Sequence, residues 1–383
     1  MTRDPPPNPA LLPPGMRDLL PPEAETEAAA VGALMASFAS HGYQRVKPPL
    51  LEFEDSLLAG AGAAVSGQTF RLLDPGTSRM MGLRADMTPQ VARIAATRMA
   101  GQPRPLRLSY AGQCLLVSGS QLAPDRQVAQ AGIELIGVDA PEADAEMVVV
   151  GAEALAAMGL RRVSFDLTMP PLAPTLLDEG GIVGAARDAL VHALDRKDAA
   201  AVAEHGGRSS GLLTELLHAA GPAGTALAKL EGMRLPPASA ALCARLAETV
   251  RAIDARAPEV KLTLDPIEFR GFSYHTGVSI TVFAPGRHEE LGRGGRYLCG
   301  DAEPATGLTL YPDAVLRACP PRPAAPRVFV PQGEDAGAAA LREQGCVTVP
   351  ALSPARDPAA EALRLGCTHL LRDGAAVPLS AES

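Results

Sequence analysis

The stretch 81-MGLRADMTPQVARI-94 is where an extended segment gives way to a helix. Thr88 is a favourable N-cap residue and Pro89 suits the first helical position, so the sequence predicts a helix that begins directly after Asp86. Upstream, the Asp-Pro-Gly turn inside 69-TFRLLDPGTSRMMGLRAD-86 predicts a hairpin of two strands. Asp86 is therefore expected at a junction between strand and helix.

Strand and helix signals continue on both sides of this junction. Towards the N-terminus, apolar residues of 23-EAETEAAAVGALMASFASHGY-43 recur at helical spacing, and Pro48–Pro49 then restrict an extended segment to an edge or interface position. Towards the C-terminus, strands are predicted in LRLSYAGQCLLV, QVAQAGIELIGV and RRVSFDLTM, with a helix from Pro141 to residue 158 before the last of them. The pattern indicates an α+β fold with a mostly antiparallel sheet and flanking helices.

Two further regions depart from this core. Residues 170–257 have a helical pattern throughout, which predicts a helical insertion, and strand signals resume at 261. The proline-dense stretch 319-CPPRPAAPR-327 predicts a linker, after which the chain alternates as β-α-β-α-β. We therefore expect a core domain over 1–319 and a small C-terminal α/β unit over 326–383 that is thin for independent folding.

Composition excludes several classes of protein. The chain has 383 residues and a formal net charge of −8, which disfavours RNA as a partner. Its six cysteines show neither CxxC pairs nor zinc-site spacing, and no apolar run is long enough to cross a bilayer. We expect a cytoplasmic protein with reduced thiols, no metal and no cofactor.

The strand QVAQAGIELIGV places Gln130, Gly132 and Glu134 on one face, because a strand exposes alternate residues on the same side. These residues fit a solvent-exposed sheet face, or a pocket floor where Gly132 leaves room and the two polar side chains bind an amine or imidazole. The segment alone favours the first interpretation. In LRADMT, an ion pair between Arg84 and Asp86 on one strand face, with an N-cap, is an equally good explanation.

Two glycine-bearing segments add candidate ligand groups. In 269-FRGFSYHTG-277, Arg270 could bind a carboxylate through its bidentate fork, and Tyr274 and His275 could bond to or stack on a planar ligand. The turn 292-GRGGRY-297 could approach an anion, but no P-loop pattern accompanies it. Each segment alone also fits a surface loop, whereas the polar segments together favour a pocket. No GxSxG, HExxH or Cys/His nucleophile motif is present, so the sequence predicts no catalytic residue.

Taken in order, six segments resemble the class II histidyl-tRNA synthetase fold over roughly residues 10–318: GMRDLLPPE, GYQRVKPPLLE, LRADMTPQVAR, QAGIELIG, RGFSYHTGV and GRGGRY. The resemblance implies an antiparallel sheet that holds an amino acid, and a homodimer built by the proline-bearing strand. It implies a histidine pocket made of a shared set of side chains: Asp86, Thr88, Gln130, Glu134, Arg270, Tyr274 and His275. Asp86 replaces a glutamate of the family, and His275 replaces its second tyrosine.

The nucleotide half of the resemblance is incomplete. Leu116 and Ala314 stand where the synthetases have the two arginines that stabilise the α-phosphate, and removing one such group typically costs about 2.7–4 kcal/mol of transition-state stabilisation. The sequence is therefore more similar to the regulatory subunits of ATP phosphoribosyltransferase, as is its RADMTPQVARI string. That resemblance implies no enzymatic activity and no tRNA. It also implies a hetero-octamer with a short-form catalytic subunit, and this catalytic subunit requires the regulatory chain for activity. The complex would catalyse the first step of histidine biosynthesis and would be feedback-inhibited by L-histidine.

Two alternatives stay open from the sequence. A divergent histidyl-tRNA synthetase or amino-acid ligase would recruit other arginines, such as Arg293 or Arg296 of the glycine-rich turn. A pure scaffold would keep the pocket only as a relic, and histidine would then leave its thermal stability unchanged.

Overall fold

The computed structural model describes residues 10–119, 123–268, 274–300, 302–320 and 324–379. The chain divides into two compact units, Met1–Cys319 and Pro320–Ser383. Among the described residues, none of the helices is both long and apolar enough to cross a membrane.

The first unit alternates strands and helices up to a long helical region. The elements before that region are α1 (Glu23–Ser40), β1 (Gln44–Arg45), β2 (Leu51–Phe53), α2 (Glu54–Leu57), a 3₁₀ segment (Gly60–Gln68), β3 (Arg71–Leu73), β4 (Met80–Leu83), α3 (Thr88–Thr97), β5 (Leu106–Leu115), β6 (Gln127–Ile136), α4 (Pro141–Ala157) and β7 (Ser164–Thr168).

The helical region follows, and the chain then returns to the sheet. The elements are α5 (Leu172–Glu179), α6 (Gly184–Asp195), α7 (Ala199–His205), a 3₁₀ turn (Gly207–Ser209), α8 (Ser210–Leu217), β8 (Gly221–Pro222), α9 (Ala223–Gly232), α10 (Pro237–Arg256), β9 (Lys261–Asp265), β10 (Ser279–Phe283), β11 (Glu290–Cys299), β12 (Glu303–Leu310) and α11 (Pro312–Ala318). The region predicted as a helical insertion contains α5 to α10, with the short strand β8 among them.

Across the described residues, nine strands form one sheet in the order β1-β5-β6-β12-β11-β10-β7-β9-β8. The central pairings are antiparallel, as predicted, while β1 pairs with β5 and β7 with β9 in parallel. The predicted hairpin of β3 and β4 lies apart from this sheet, where β2 joins it to make a small three-stranded sheet.

One face of the large sheet is covered by helices. Ala131, Ile133 and Leu135 of β6 are buried in the main apolar core, together with residues of α1, α4 and α10. Because side chains alternate along a strand, Gln130 and Glu134 are on the opposite face. That face carries the candidate site.

The start of α3 differs from the sequence prediction. The helix begins at Thr88, its N-cap is Met87, and the Met87 side chain makes no capping hydrogen bond. β4 ends at Leu83, so Arg84 and Asp86 lie on the connection to α3 and do not share a strand face. Arg84 directs its guanidinium to the carbonyl oxygens of Gln113 at 2.8 Å and Pro48 at 3.2 Å. The interpretation of these residues as an ion pair with an N-cap is therefore wrong.

The second unit contains the predicted β-α-β-α-β alternation and one further strand. Its elements are β13 (Arg327–Val330), α12 (Asp335–Glu343), β14 (Val347–Pro350), α13 (Pro358–Arg364), β15 (His369–Arg372) and β16 (Ala375–Pro378). The sheet order is β14-β13-β15-β16, and β16 pairs antiparallel with β15. The two sides of this sheet carry separate small apolar clusters.

Candidate functional site

A cavity of about 850 Å³ opens on the sheet face opposite α1, α4 and α10. Two strands supply glycines to its floor, Gly307 in β12 and Gly295 in β11, while Gly132 in β6 lies against the Tyr110 side chain. In the sheet register Gly307 lies beside both Glu134 and Gly295. Because these positions carry no side chain, the floor is depressed and the neighbouring polar side chains can extend across it.

Glu134 occupies the centre of this floor and is only 1% exposed. Its Oε1 accepts a hydrogen bond from the Tyr110 hydroxyl at 3.1 Å, and its Oε2 accepts one from the Tyr297 hydroxyl at 2.9 Å. Burial raises the pKa of Glu134 to about 8, although the Tyr297 hydrogen bond favours the ionised form. The carboxyl group is therefore protonated in much of the population at neutral pH.

The Tyr110 hydroxyl links Glu134 to two threonines. It lies 3.2 Å from Oγ1 of Thr88 and 2.7 Å from Oγ1 of Thr309. A side chain at position 132 would collide with this hydroxyl, since an ideal Cβ there would lie 2.4 Å from it. Gly132 is thus required for the Tyr110 network.

Gln130 and Asp86 form the neighbouring wall. The Gln130 Oε1 accepts hydrogen bonds from the Met87 backbone N–H at 3.1 Å and the Cys114 thiol at 3.4 Å. Asp86 accepts a bond from the Thr88 N–H at 3.2 Å, and burial raises the pKa of Asp86 above its ordinary value. The alternative of a solvent-exposed face for Gln130 and Glu134 is wrong, because Gln130 is only 6% exposed and both line the cavity.

Tyr274 and His275 form an aromatic wall. Their rings stack with centroids 4.2 Å apart, and Tyr274 meets Tyr297 edge-on at 6.4 Å. Burial, together with the charge of Arg293, lowers the pKa of His275 to about 3, so its imidazole is neutral at physiological pH. Arg270, predicted from the same segment, lies outside the described residues.

The other end of the cavity has a different character. Leu116 and Ala314 both line it, so the two positions that lack arginine face the same space as Glu134. Arg293 and Arg317 also line it, and each is paired with a carboxylate: Arg293 with Glu290 and Arg317 with Glu289.

Arg296 does not reach the cavity. It pairs with Asp144 on α4, with its Nε 3.0 Å from Oδ2 and its Nη2 2.9 Å from Oδ1. Of the two arginines that the sequence offered as replacements, only Arg293 is therefore in place. Arg317 was not foreseen, because its position on α11 gives no signal in a linear motif.

The structure brings together Asp86, Thr88, Gln130, Glu134, Tyr274 and His275 around one cavity. Sequence reasoning missed Tyr110, Tyr297 and Thr309. The alternation of side chains along YAGQ, GRGGRY and GLTL would have placed these three residues on the same face as Glu134, had the strand order β5-β6-β12-β11 been known. Among the described residues, no group of three or more His, Cys, Asp or Glu is arranged to hold a metal ion.

A buried acid surrounded by hydroxyl groups, next to an aromatic wall, suits a small ligand with N–H donors and a flat ring. Two carboxyl groups with raised pKa values favour a ligand that brings positive charge or donates hydrogen bonds. The cavity is also larger than such a ligand needs.

Comparison with known proteins shows the family of the chain. A family model described as histidyl-tRNA synthetase matches residues 15–315. The chain is 58% identical to an ATP phosphoribosyltransferase regulatory subunit from Paramagnetospirillum magneticum, covering 95% of this chain and 96% of the relative. It is 54% identical to one from Gluconobacter oxydans, covering 97% and 98%.

Solved structures share the fold. An ATP phosphoribosyltransferase regulatory subunit/histidyl-tRNA synthetase from Bacillus halodurans superposes with a TM-score of 0.79 at 23% identity, covering 94% of this chain and 97% of the other. Histidyl-tRNA synthetase from Nostoc gives a TM-score of 0.77 at 17% identity, covering 94% and 91%. The class II synthetase-like α+β fold predicted from sequence is confirmed, and the chain belongs to the family of ATP phosphoribosyltransferase regulatory subunits, built on a histidyl-tRNA synthetase domain.

Proposed function

We propose that this chain is a non-catalytic regulatory subunit that a short-form ATP phosphoribosyltransferase catalytic subunit requires for activity. It binds L-histidine, the pathway end product, and transmits feedback inhibition. It acts in the cytoplasm as a homodimer within a hetero-octamer, without tRNA. The names of its relatives support the regulatory role.

One observation carries the proposal. The same cavity has an intact polar floor around Glu134 and, at its other end, Leu116 and Ala314 in the positions where a synthetase would activate the amino acid. A site built this way can recognise an amino acid, while its power to stabilise charge on an α-phosphate is reduced.

The side chains suggest how histidine would be held. Glu134 would accept a hydrogen bond from the imidazole N–H, and the Tyr274–His275 wall would pack on the ring. Asp86 and Gln130 would bind the α-amino group, and Arg270 the carboxylate. We further propose that residues 1–319 form the core domain, which holds the ligand, and that residues 326–383 form a separate small C-terminal unit.

Feedback requires that histidine binds one arrangement of the complex more tightly than another, because equal affinity for both would shift nothing. The coupling is reciprocal, so phosphoribosyl substrate would weaken histidine binding. Reconstitution with the catalytic chain of the same organism tests this directly. We expect activity to depend on the regulatory chain and to fall when histidine is added.

Variants separate the pocket from the assembly. Glu134→Ala or Arg270→Ala should weaken histidine inhibition while the complex still forms, and the exposed Glu215→Gln in α8 serves as the control. Unchanged inhibition in both pocket variants would reject the site. Strong ATP–pyrophosphate exchange with histidine would instead favour an amino-acid-activating enzyme.

A further inference from the structure

The outer end of the cavity contains two guanidinium groups that a phosphate-bearing ligand could use. Arg293 on β11 and Arg317 on α11 both line it, and their side chains are 43% and 44% exposed. Arginine forks are well suited to phosphate oxygens. Their position predicts affinity for polyanions, unless other groups already bind their N–H donors.

Two adjacent glutamates bind these guanidinium groups. Glu290 accepts from both Nε and Nη2 of Arg293, and Glu289 accepts from Nη2 and, at 3.1 Å, from Nε of Arg317. Both bonds of each pair use the bidentate fork, which is the geometry that a phosphate would need. The Nε–Nη2 side of each guanidinium is therefore already bound to a carboxylate.

The local charge adds to this effect. Asp125 and Asp313 also line the cavity, and their charges contribute to raising the pKa of Arg317, after its hydrogen bond to Glu289. Each of these two arginines is balanced by its own glutamate and Asp125 lies 3.9 Å from Arg17, so Asp313 adds a negative charge at this end. A polyphosphate entering here would meet repulsion and would have to displace a glutamate to bind the Nε–Nη2 side of either arginine.

We propose that Glu289 and Glu290 are specificity-determining residues that keep phosphate-bearing ligands out of the cavity by occupying Arg317 and Arg293. The two glutamates take the place of the ligand's anionic groups, so the cavity accepts an amino acid and rejects a nucleotide. The inference concerns this end of the cavity alone and does not require histidine to be the physiological ligand.

The test measures binding of inorganic tripolyphosphate to the full chain by calorimetry at low salt. The Glu289→Gln/Glu290→Gln variant should bind at least tenfold more tightly than the unaltered protein, and the gain should shrink as salt is raised. Adding Arg293→Gln and Arg317→Gln to that variant should abolish the gain. The control is Glu204→Gln/Glu215→Gln, which removes the same charge at exposed positions of the helical insertion and should show no gain.

Two outcomes would overturn the proposal: a double variant that binds tripolyphosphate no more tightly than the unaltered protein, or a gain that survives loss of both arginines. Glu289 and Glu290 are both partly exposed, so their replacement is compatible with folding, and the single variant Glu289→Gln provides a milder version. A histidine-induced thermal shift of the unaltered protein is recorded separately. Its absence would count against the proposed function and leave the tripolyphosphate result standing.

Discussion

Glu134 lies where ionisation is expensive, since it is buried and its partners are neutral hydroxyl groups. A carboxylate in such a place has lost most of its hydration, and two hydrogen bonds recover only part of it. A ligand that donates a hydrogen bond or brings positive charge would supply the rest. Ligand binding and the protonation of Glu134 are therefore expected to be linked.

The first prediction concerns stability against pH. Because burial raises the pKa of Glu134 from 4.5 to about 8, the protonated form favours folding. Its contribution is fully present below about pH 4.5 and is lost as pH rises to about 8. In Glu134→Gln the free energy of unfolding should fall less between pH 4.5 and pH 8 than in the unaltered protein. The difference in this fall should be on the order of a few kcal/mol. Urea unfolding of both proteins at pH 5.5 and 8.5 measures this difference. An equal change in the free energy of unfolding for Glu134→Gln and the unaltered protein would contradict the prediction.

The second prediction concerns the glycine beside Glu134. A Cβ at position 307 would lie 1.9 Å from Oε2 of Glu134, which cannot move away because two tyrosines hold it. Gly307→Ala should lower histidine affinity at least tenfold and destabilise the protein by about 1–3 kcal/mol through overpacking. Calorimetric titration with histidine measures the first effect.

The matched control is Gly32→Ala in α1, where an added Cβ meets nothing within 4 Å. It should leave histidine binding unchanged and stabilise the helix by up to about 1 kcal/mol. If Gly307→Ala bound histidine like the unaltered protein, Glu134 would not be part of the ligand site.

At the scale of elements, the pair between Arg296 and Asp144 ties β11 to α4. Arg296 also donates to the carbonyl oxygens of Val138 and Ala140 just before that helix, at 3.1 Å each. β11 carries Gly295 and Tyr297 on its other face, so this pair fixes the strand from behind the cavity.

The third prediction follows from the burial of that pair. Asp144→Asn should destabilise the protein by about 3–5 kcal/mol, because it leaves the guanidinium of Arg296 without its buried counter-ion. The double variant Asp144→Leu/Arg296→Met should recover much of the loss, since both buried charges of the pair are removed and Arg245 keeps Asp139 as its partner. Urea unfolding at neutral pH measures both. A double variant no more stable than Asp144→Asn would show that geometry, and not charge, makes the pair important.

The elements were predictable to different degrees. Periodicity identified β5, β6, α4 and the helical insertion, because their patterns run for many residues. The N-cap at Thr88 was misplaced because the Thr88 hydroxyl bonds instead to Tyr110, a partner on a strand distant in sequence. The burial of Gln130 and Glu134 was missed for the same reason. Alternation places two residues on one face, but it does not show that α3 and the side chains of neighbouring strands pack over that face.

At the scale of the whole molecule, all residues that line the cavity come before position 319. They derive from segments as far apart as Ala64 and Arg317, so the site depends on the complete fold of the first unit. The second unit has its own sheet and its own apolar clusters. Ligand recognition and any role of the second unit in assembly should therefore be separable.

The fourth prediction tests this separation by ending the chain at Cys319. The shortened protein should fold, and millimolar histidine should still raise its melting temperature, because ligand that binds only the native state stabilises by RT ln(1 + [L]/Kd). Its histidine Kd should lie within about threefold of the full chain, a free-energy difference below about 1 kcal/mol. Scanning calorimetry with and without histidine measures the shift, and Glu134→Ala in the same shortened chain is the control that should lose it. A shortened protein that folds cooperatively but shows no shift would mean that residues beyond 319 complete the site, and the assignment of the ligand to the first unit alone would fail.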